Sequence, residues 1–540
     1  MSKQLARSAG LIGIATFSSR ILGLVRDTVQ AALFATGTAN DAFVLATRIP
    51  TLLRDLFAEG AMSAAFVPTF TRTLTTDGQR AAWRLGSQVI NALALVTGAL
   101  VLVGIVFAAP IATLYGGNFA ATPGKLPLTI QLTRFNMPFL LLVAIAAAYM
   151  GMLNGLRRFF MPAMAPAMYN VVFIVSALVL YPVFRHLGVP PIYALTVGML
   201  GGGLAQIVTQ YPVARRAGFR HEWVLDWRDP RLREVLVLMG PGTLGGAAAQ
   251  INVFVNTILA TSEPGAVSAL SYAFRFMYLP VAIFGVSIAT AAIPQLATHA
   301  ARQAYEEMKN TISWSLRLTL MLAVPATVGL MVLASPIVAL VYKHGRFDEQ
   351  SNVMVAASLF FYSIGIVGYS VVKIALPSFY SLQDARTPVI SSLITITANI
   401  ALNVWLHHLF GYRGLALGTG ISATINAGLL LYLLDRRLGG IDGARVFRSL
   451  LKILAASAVM GVAAYWAEAR LHALFPAASF TAHLIRVVGG IGAGLATLAA
   501  AAWALRIEEF GQAMERVLRK VRPGTTGTTG TTGTTGPTNV

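Results

Sequence analysis

Cysteine is absent from this 540-residue chain, so neither a disulfide nor a thiolate metal site can be built from it. Charge is scarce at 11% of residues, and acids are scarcer still, with 21 Asp and Glu against 41 Lys and Arg. Only 8 histidines are present. They are scattered, and no HExxH, GxSxG or Walker pattern accompanies them. General acid–base pairs and metal clusters therefore have little to be made from, and the chain does not read as an enzyme. The ten-residue alternation of a membrane β-barrel is missing too.

What is present is apolar. Hydrophobic residues make up 56% of the chain and the mean hydropathy is +0.68. They fall in repeated runs of roughly twenty residues, the length a helix needs to cross a bilayer core. The pattern predicts an all-α polytopic membrane protein with about fourteen transmembrane helices between roughly residues 9 and 505. Basic residues gather in alternate loops: Arg72, Arg80 and Arg84; Arg157 and Arg158; Arg215, Arg216 and Arg220; Arg436 and Arg437. The other side receives Lys125, Arg185, Lys343, Arg346 and Arg413. The positive-inside rule then puts both termini in the cytoplasm. The net charge of +20 reads as topology rather than as a nucleic-acid footprint.

The chain also repeats itself. Tyr211 through Arg215-Arg216 matches Tyr432 through Arg436-Arg437, and Arg48 with Pro68 matches Arg275 with Pro294, at nearly one offset. An even number of spans per unit gives two lobes of like orientation, related by a pseudo-twofold axis along the membrane normal. The expected division is a six-helix lobe over 1–216, a second over 217–437, and two extra helices within 438–510. The Gly/Thr tail at 523–540 has no apolar face and reads as disordered.

One stretch is costly. From Leu11 to Glu59 an otherwise apolar sequence carries Arg20, Arg26, Asp27, Asp41, Arg48, Arg54 and Asp55. Ionisable groups at membrane depth usually face a bundle interior or a wet cavity. Arg20 and Asp27 share a helix face at a spacing of seven, as do Asp41, Arg48 and Asp55 unless Pro50 turns the register. Local neutralisation of Arg20 by Asp27, and interfacial anchoring by Arg54, Asp55 and Glu59, are the competing readings. In the second half SYAFRFMYLP offers Arg275 with no acid nearby in sequence, so its partner must come from another element or from a ligand anion. A guanidinium suits phosphate because its planar fork donates two parallel hydrogen bonds. Arginines from two lobes point to a diphosphate. Gln250, Asn252 and Asn256, with Asp384, are candidates for a coupling ion or, more simply, for interhelical hydrogen bonds. Gly201-Gly202-Gly203 follows no strand and reads as close helix packing or a flexible point.

The runs SSRILGLVRD, NDAFVLATRIPTLLRDLFAEGAMSAAFVPTF, SYAFRFMYLP and PSFYSLQDARTP closely resemble the MurJ/MviN family of lipid II flippases, of the multidrug/oligosaccharidyl-lipid/polysaccharide exporter superfamily. The likeness extends over roughly residues 5–510. It implies two six-helix lobes in a V, alternating access, and an extra helical pair that forms a groove for a polyprenyl tail. The implied substrate is undecaprenyl-diphosphate-linked disaccharide-pentapeptide, carried from the inner to the outer leaflet of the bacterial cytoplasmic membrane. By the same resemblance the family's essential cavity arginines fall on Arg20, Arg26, Arg54 and Arg275, its essential aspartate on Asp41, and a basic position on Arg48; Glu59, from its place at the end of the charged stretch, is a further supporting candidate. No cofactor is implied; members of the family draw on membrane potential or a monovalent cation. Two departures stand out: Phe274 where relatives often carry Asp, and Asp55 where some carry a second basic residue. The rival readings are an exporter of another polyprenyl-linked glycan and a structural member of a cell-wall assembly.

Overall fold

The computed structural model describes residues 3–55, 60–477 and 479–511, and among these there is helix and no strand. Glu59 and the Gly/Thr tail lie outside the described residues. The first half runs α1 (Lys3–Phe34), α2 (Thr38–Arg54), α3 (Gly60–Thr76), α4 (Gly78–Val106), α5 (Ala108–Gly116), α6 (Lys125–Asn136), α7 (Phe139–Gly155), α8 (Phe160–His186) and α9 (Tyr193–Arg216). The second half follows as α10 (Pro230–Ala260), α11 (Ala266–Pro280), α12 (Val286–Ala301), α13 (Tyr305–Val332), α14 (Ala334–Tyr342), α15 (Glu349–Ser363), α16 (Gly365–Ser381), α17 (Arg386–Phe410) and α18 (Tyr412–Leu438). The last pair is α19 (Gly443–Leu474) and α20 (Phe480–Ala504).

The repeat is plain in this order. α5 and α14 are both nine-residue helices after a break, and α7 and α16 are both seventeen residues long. Packing repeats too: α8 on α9 as α17 on α18, α1 on α8 as α10 on α17, and α4 on α7 as α13 on α16. One apolar core, around Phe66, Phe70 and Leu85, belongs mainly to the first half and takes in Leu232 and Val235 of α10; another, around Leu316, Ile374 and Leu430, lies wholly in the second half; a third, around Tyr342, Leu359 and Ile366, bridges the two through Ala31, Leu45 and Phe119. The extra pair α19–α20 packs on α13 and α14 of the second lobe.

Among the described residues, nine helical units are long and apolar enough to cross a membrane, and α15–α16, bent by 44°, makes a tenth. α1, α2–α3, α9 and α10 fill the remaining expected spans. Three of these, α1, α2 and α9, line the central cavity, which explains why they are less apolar. Several spans are broken. Pro138 lacks the N–H that would continue the ladder and separates α6 from α7; Pro280 ends α11 and a π turn, Val281–Gly285, leads into α12. Gly202 allows α9 to reach α8, where a Cβ would sit 2.9 Å from the Tyr169 carbonyl, so the glycine run serves close packing.

The two lobes meet differently at their two ends. Where α1 turns into α2 the contacts are largely made by main chain, and Thr36 and Ser351 are buried there. Arg346 donates its N–H to the Ala32 carbonyl at 2.8 Å, and the Thr36 and Ser351 hydroxyls lie 2.8 Å apart. Gly345, at φ +61°, presses on the Ala32 carbonyl so closely that a Cβ would stand 2.5 Å from it. At the other end Arg72 pairs with Glu234, and Arg231 with Asp77 at 3.0 Å, both pairs largely exposed.

Candidate functional site: a cationic cavity between the lobes

α1, α2, α8, α9 and α11 surround a cavity of about 330 Å³. Four arginines line it: Arg26 from α1, Arg48 and Arg54 from α2, and Arg275 from α11 across the lobe boundary. Among the described residues Asp27 is the one acid in its lining, so their charge by count is +3.

Arg26 is held in a built setting. Its Nε and Nη2 donate to Asp27 Oδ1 at 3.1 and 2.8 Å, and its Nη1 donates to Asn170 Oδ1 at 3.2 Å. Asn170 in turn donates to the Ser19 carbonyl, which fixes α8 to α1. The guanidinium carbon lies 5.8 Å from the Tyr169 ring centre and 5.6 Å from that of Phe173, within cation–π range. Asp27 then turns its second oxygen across the boundary, where Arg275 Nε lies 3.3 Å from Oδ2. The partner that Arg275 lacked in its own sequence is thus an acid of the opposite lobe. Phe274 instead stacks on Tyr278 and meets Tyr362 edge-on. Arg54 bonds Asp55 through Nε and Nη2 at 3.0 and 2.7 Å. Arg48 differs from the others, because its Nε is buried and has no hydrogen-bond partner among the described residues.

Two expected residues stand elsewhere. Arg20 is exposed and outside the cavity lining; it shares a face with Asp27 but sits two turns nearer the N-terminal end of α1. Its neutralisation by Asp27 is not seen, since that carboxylate is taken by Arg26 and Arg275. Asp41 is fully buried, away from the cavity lining. Its Oδ2 accepts from Lys125 Nζ at 2.8 Å and the Gly265 N–H at 2.7 Å, and its Oδ1 accepts from the Ser268 N–H and Oγ at 2.9 and 2.6 Å. An acid of the first lobe therefore caps the N-terminus of α11 in the second, where the helix dipole favours negative charge. Lys125 is itself 2% exposed and stacked on Phe119, so it is a structural partner and not the loop charge its position in sequence implies.

The residues considered for a coupling ion are not brought together. Asp384 accepts from the Thr387 N–H and Oγ1 at the start of α17. Asn256 bonds Asn403, and Gln250 reaches Asp55 at 3.5 Å. Asn252 lines a separate cavity of about 240 Å³ that is also lined by Lys373 and, among the described residues, by no carboxylate. A lysine in an acid-free cavity does not fit a cation site, and interhelical hydrogen bonding accounts for Asn256.

Fold and site together define a polytopic helical transporter with an anion-attracting chamber between two repeated lobes. The family description "Lipid II flippase MurJ" matches residues 30–485, and the chain belongs to that family. A probable lipid II flippase MurJ of Rhizobium meliloti (strain 1021) is 32% identical over 524 residues, covering 96% of this chain and 97% of that protein. A lipid II flippase MurJ of Burkholderia cenocepacia is 34% identical, over 78% and 82% of the two chains. Among solved structures, a lipid II flippase MurJ in an inward closed conformation superposes with a TM-score of 0.75 at 26% identity, covering 92% of this chain and 99% of that one. An inward-facing multidrug transporter of the MATE family shares the fold, with a TM-score of 0.64 at 15% identity.

Proposed function

We propose that this protein carries lipid II across the cytoplasmic membrane by alternating access, with the diphosphate held by Arg26, Arg48, Arg54 and Arg275. The observation that carries the reading is the convergence of four guanidinium groups from both lobes on one cavity with a single acid among the described residues of its lining. A diphosphate diester brings two negative charges to a lining of +3. It can take the place of Asp27 between Arg26 and Arg275, and so keep the lobes tied while the charge that resists collapse is neutralised.

The two lobe contacts give the motion a direction. At the basic end exposed ion pairs such as Arg231–Asp77 contribute about 0–1 kcal/mol each, and the burial of Leu232 and Val235 of α10 in the first-lobe core holds the lobes there by an apolar contact with no buried charge to unpair. The opposite end is sealed by Asp41 on the α11 N-terminus and opens only when that buried carboxylate gives up three donors. With both termini in the cytoplasm, the resting chamber receives substrate from the inner leaflet and delivers it outward. The α19–α20 pair holds the polyprenyl tail against the second lobe while the headgroup crosses. Asp27 and Asn170 act as positioning residues for Arg26.

The test is lipid II exposure at the outer face of cells depleted of their own flippase and supplied with this chain or with Arg26→Ala/Arg275→Ala at equal levels. Restoration by the wild type and not by the variant is expected. Equal restoration would remove the arginines from the mechanism. Failure of a well-inserted wild type would move the substrate to another polyprenyl-diphosphate glycan.

A further inference from the structure

A second basic pocket lies far from the central cavity, at the end of the first lobe where the loop arginines gather. It has a volume of about 410 Å³ and is formed by Gln79, Arg80 and Trp83 in the first turns of α4 and by Gly218, Arg220 and Glu222 in the segment after α9. That segment is tied down. Gln79 Nε2 donates to the Ala217 carbonyl at 2.8 Å, Asn91 Nδ2 donates to the Glu222 and Val224 carbonyls at 2.9 and 2.8 Å, and the Glu222 N–H donates to Ser87 Oγ at 3.1 Å.

The informative group is Trp83. Its ring is 7% exposed and packs on Phe70 and Phe219, contacts a phenylalanine would make equally well. Its indole N–H, however, is buried and has no acceptor among the described residues. A buried donor left unpaired costs about 1–3 kcal/mol, and buried Trp usually finds a partner for it. The N–H points to the floor at Gly218, whose φ of +97° suits glycine and where a Cβ would come 3.6 Å from the indole nitrogen. Arg80 and Arg220 are exposed, and neither has a carboxylate within ion-pair distance among the described residues. Glu222 is the one acid of the pocket, which leaves a charge of +1 by count. The amino end of α4, a helix of 29 residues, adds its dipole to the same spot. On the same loop Trp223 is 91% exposed and Trp227 47%, the amphipathic rings expected at a bilayer's headgroup level.

We propose that this pocket binds a phosphate group on Arg80, Arg220 and the Trp83 indole N–H, carried by an anionic phospholipid at the membrane surface or free in water. The pocket is separate from the central chamber and does not depend on the lipid II reading.

The experiment is native mass spectrometry of the full detergent-solubilised chain with phosphatidylglycerol, with phosphatidylcholine of the same acyl chains, and with inorganic phosphate alone. Wild type should retain one more phosphatidylglycerol than Arg80→Gln/Arg220→Gln, whose affinity at this site falls about tenfold or more. Trp83→Phe keeps the ring packing and loses only the N–H, and should weaken retention several-fold. Inorganic phosphate that binds alone and displaces the lipid assigns the free anion as a ligand; lipid retention that phosphate does not disturb assigns the headgroup. Arg26→Gln/Arg275→Gln should keep this lipid, which separates the pocket from the central cavity. Equal retention by wild type and both pocket variants, or equal binding of phosphatidylcholine, would overturn the proposal. Should the double arginine variant fold poorly, Trp83→Phe decides alone.

Discussion

Replacing Ser268 with Ala should loosen the sealed end of the chamber without touching the arginines. The hydroxyl donates to Asp41 Oδ1 at 2.6 Å across the lobe boundary, and only while that end is closed. Asp41 and Lys125 both belong to the first lobe and stay paired when the lobes part, so Ser268 reports on closure alone. A hydrogen bond to a charged group contributes about 1.5–3 kcal/mol, which converts to a roughly 10- to 150-fold rise in the open population. The chain has no cysteine, so Thr36→Cys gives a single thiol at a position that is 9% exposed when the end is shut. Labelling by a membrane-impermeant maleimide from the outside then reads the open fraction directly. The Ser268→Ala background should label at least about tenfold faster. Equal rates in the two backgrounds would show that Asp41 does not hold the lobes together, and the direction assigned to the motion would fall with it.

Asp27→Asn should bind a diphosphate analogue more tightly in equilibrium titration, because the competing carboxylate is gone, yet flip more slowly because nothing replaces the departing substrate between Arg26 and Arg275; weaker binding would contradict the exchange. Arg48→Leu should raise the melting temperature, since its buried Nε has no partner, while lipid II binding falls. Asp384→Ala should lose about 1 kcal/mol of stability in denaturant titration through the lost cap on α17, with flipping unchanged. The Thr387 hydrogen bonds hold the Asp384 carboxyl below the usual carboxylate range. Its folded pKa is thus depressed, so the stabilisation is complete above the ordinary Asp value and fades as pH falls through the lowered one. Asp384→Asn should therefore flatten that part of the acid-denaturation curve.

The helical architecture was legible because its signals are local. Apolar runs of membrane length and loop arginines mark fourteen stretches, and every one of them is helical where described. The break between α13 and α14 at Leu333 has a local signal in Pro336, which has no N–H to offer the Val332 carbonyl, just as Pro110 follows the break at Phe107; the expected spans run through both. The cavity arginines were legible as costly residues, and three of the four expected by resemblance share one chamber. Their partners were not. Asp27 meets Arg275 from 248 positions away, and Lys125 looks like an ordinary loop charge until the fold carries it to Asp41. The Trp83 pocket is invisible in sequence because its distinguishing property, an indole N–H with no acceptor, exists only once Gly218 is folded over it.

The seal beside Asp41 carries a consequence for heredity. The Gly265, Ser268 and Arg346 donors and the Ala32 acceptor are backbone atoms, which every residue but proline supplies in full. A point substitution that removes a cavity guanidinium leaves those contacts in place. Loss-of-function alleles should therefore be silent to ions: cells that carry them starve for exported substrate while their membrane potential stays intact.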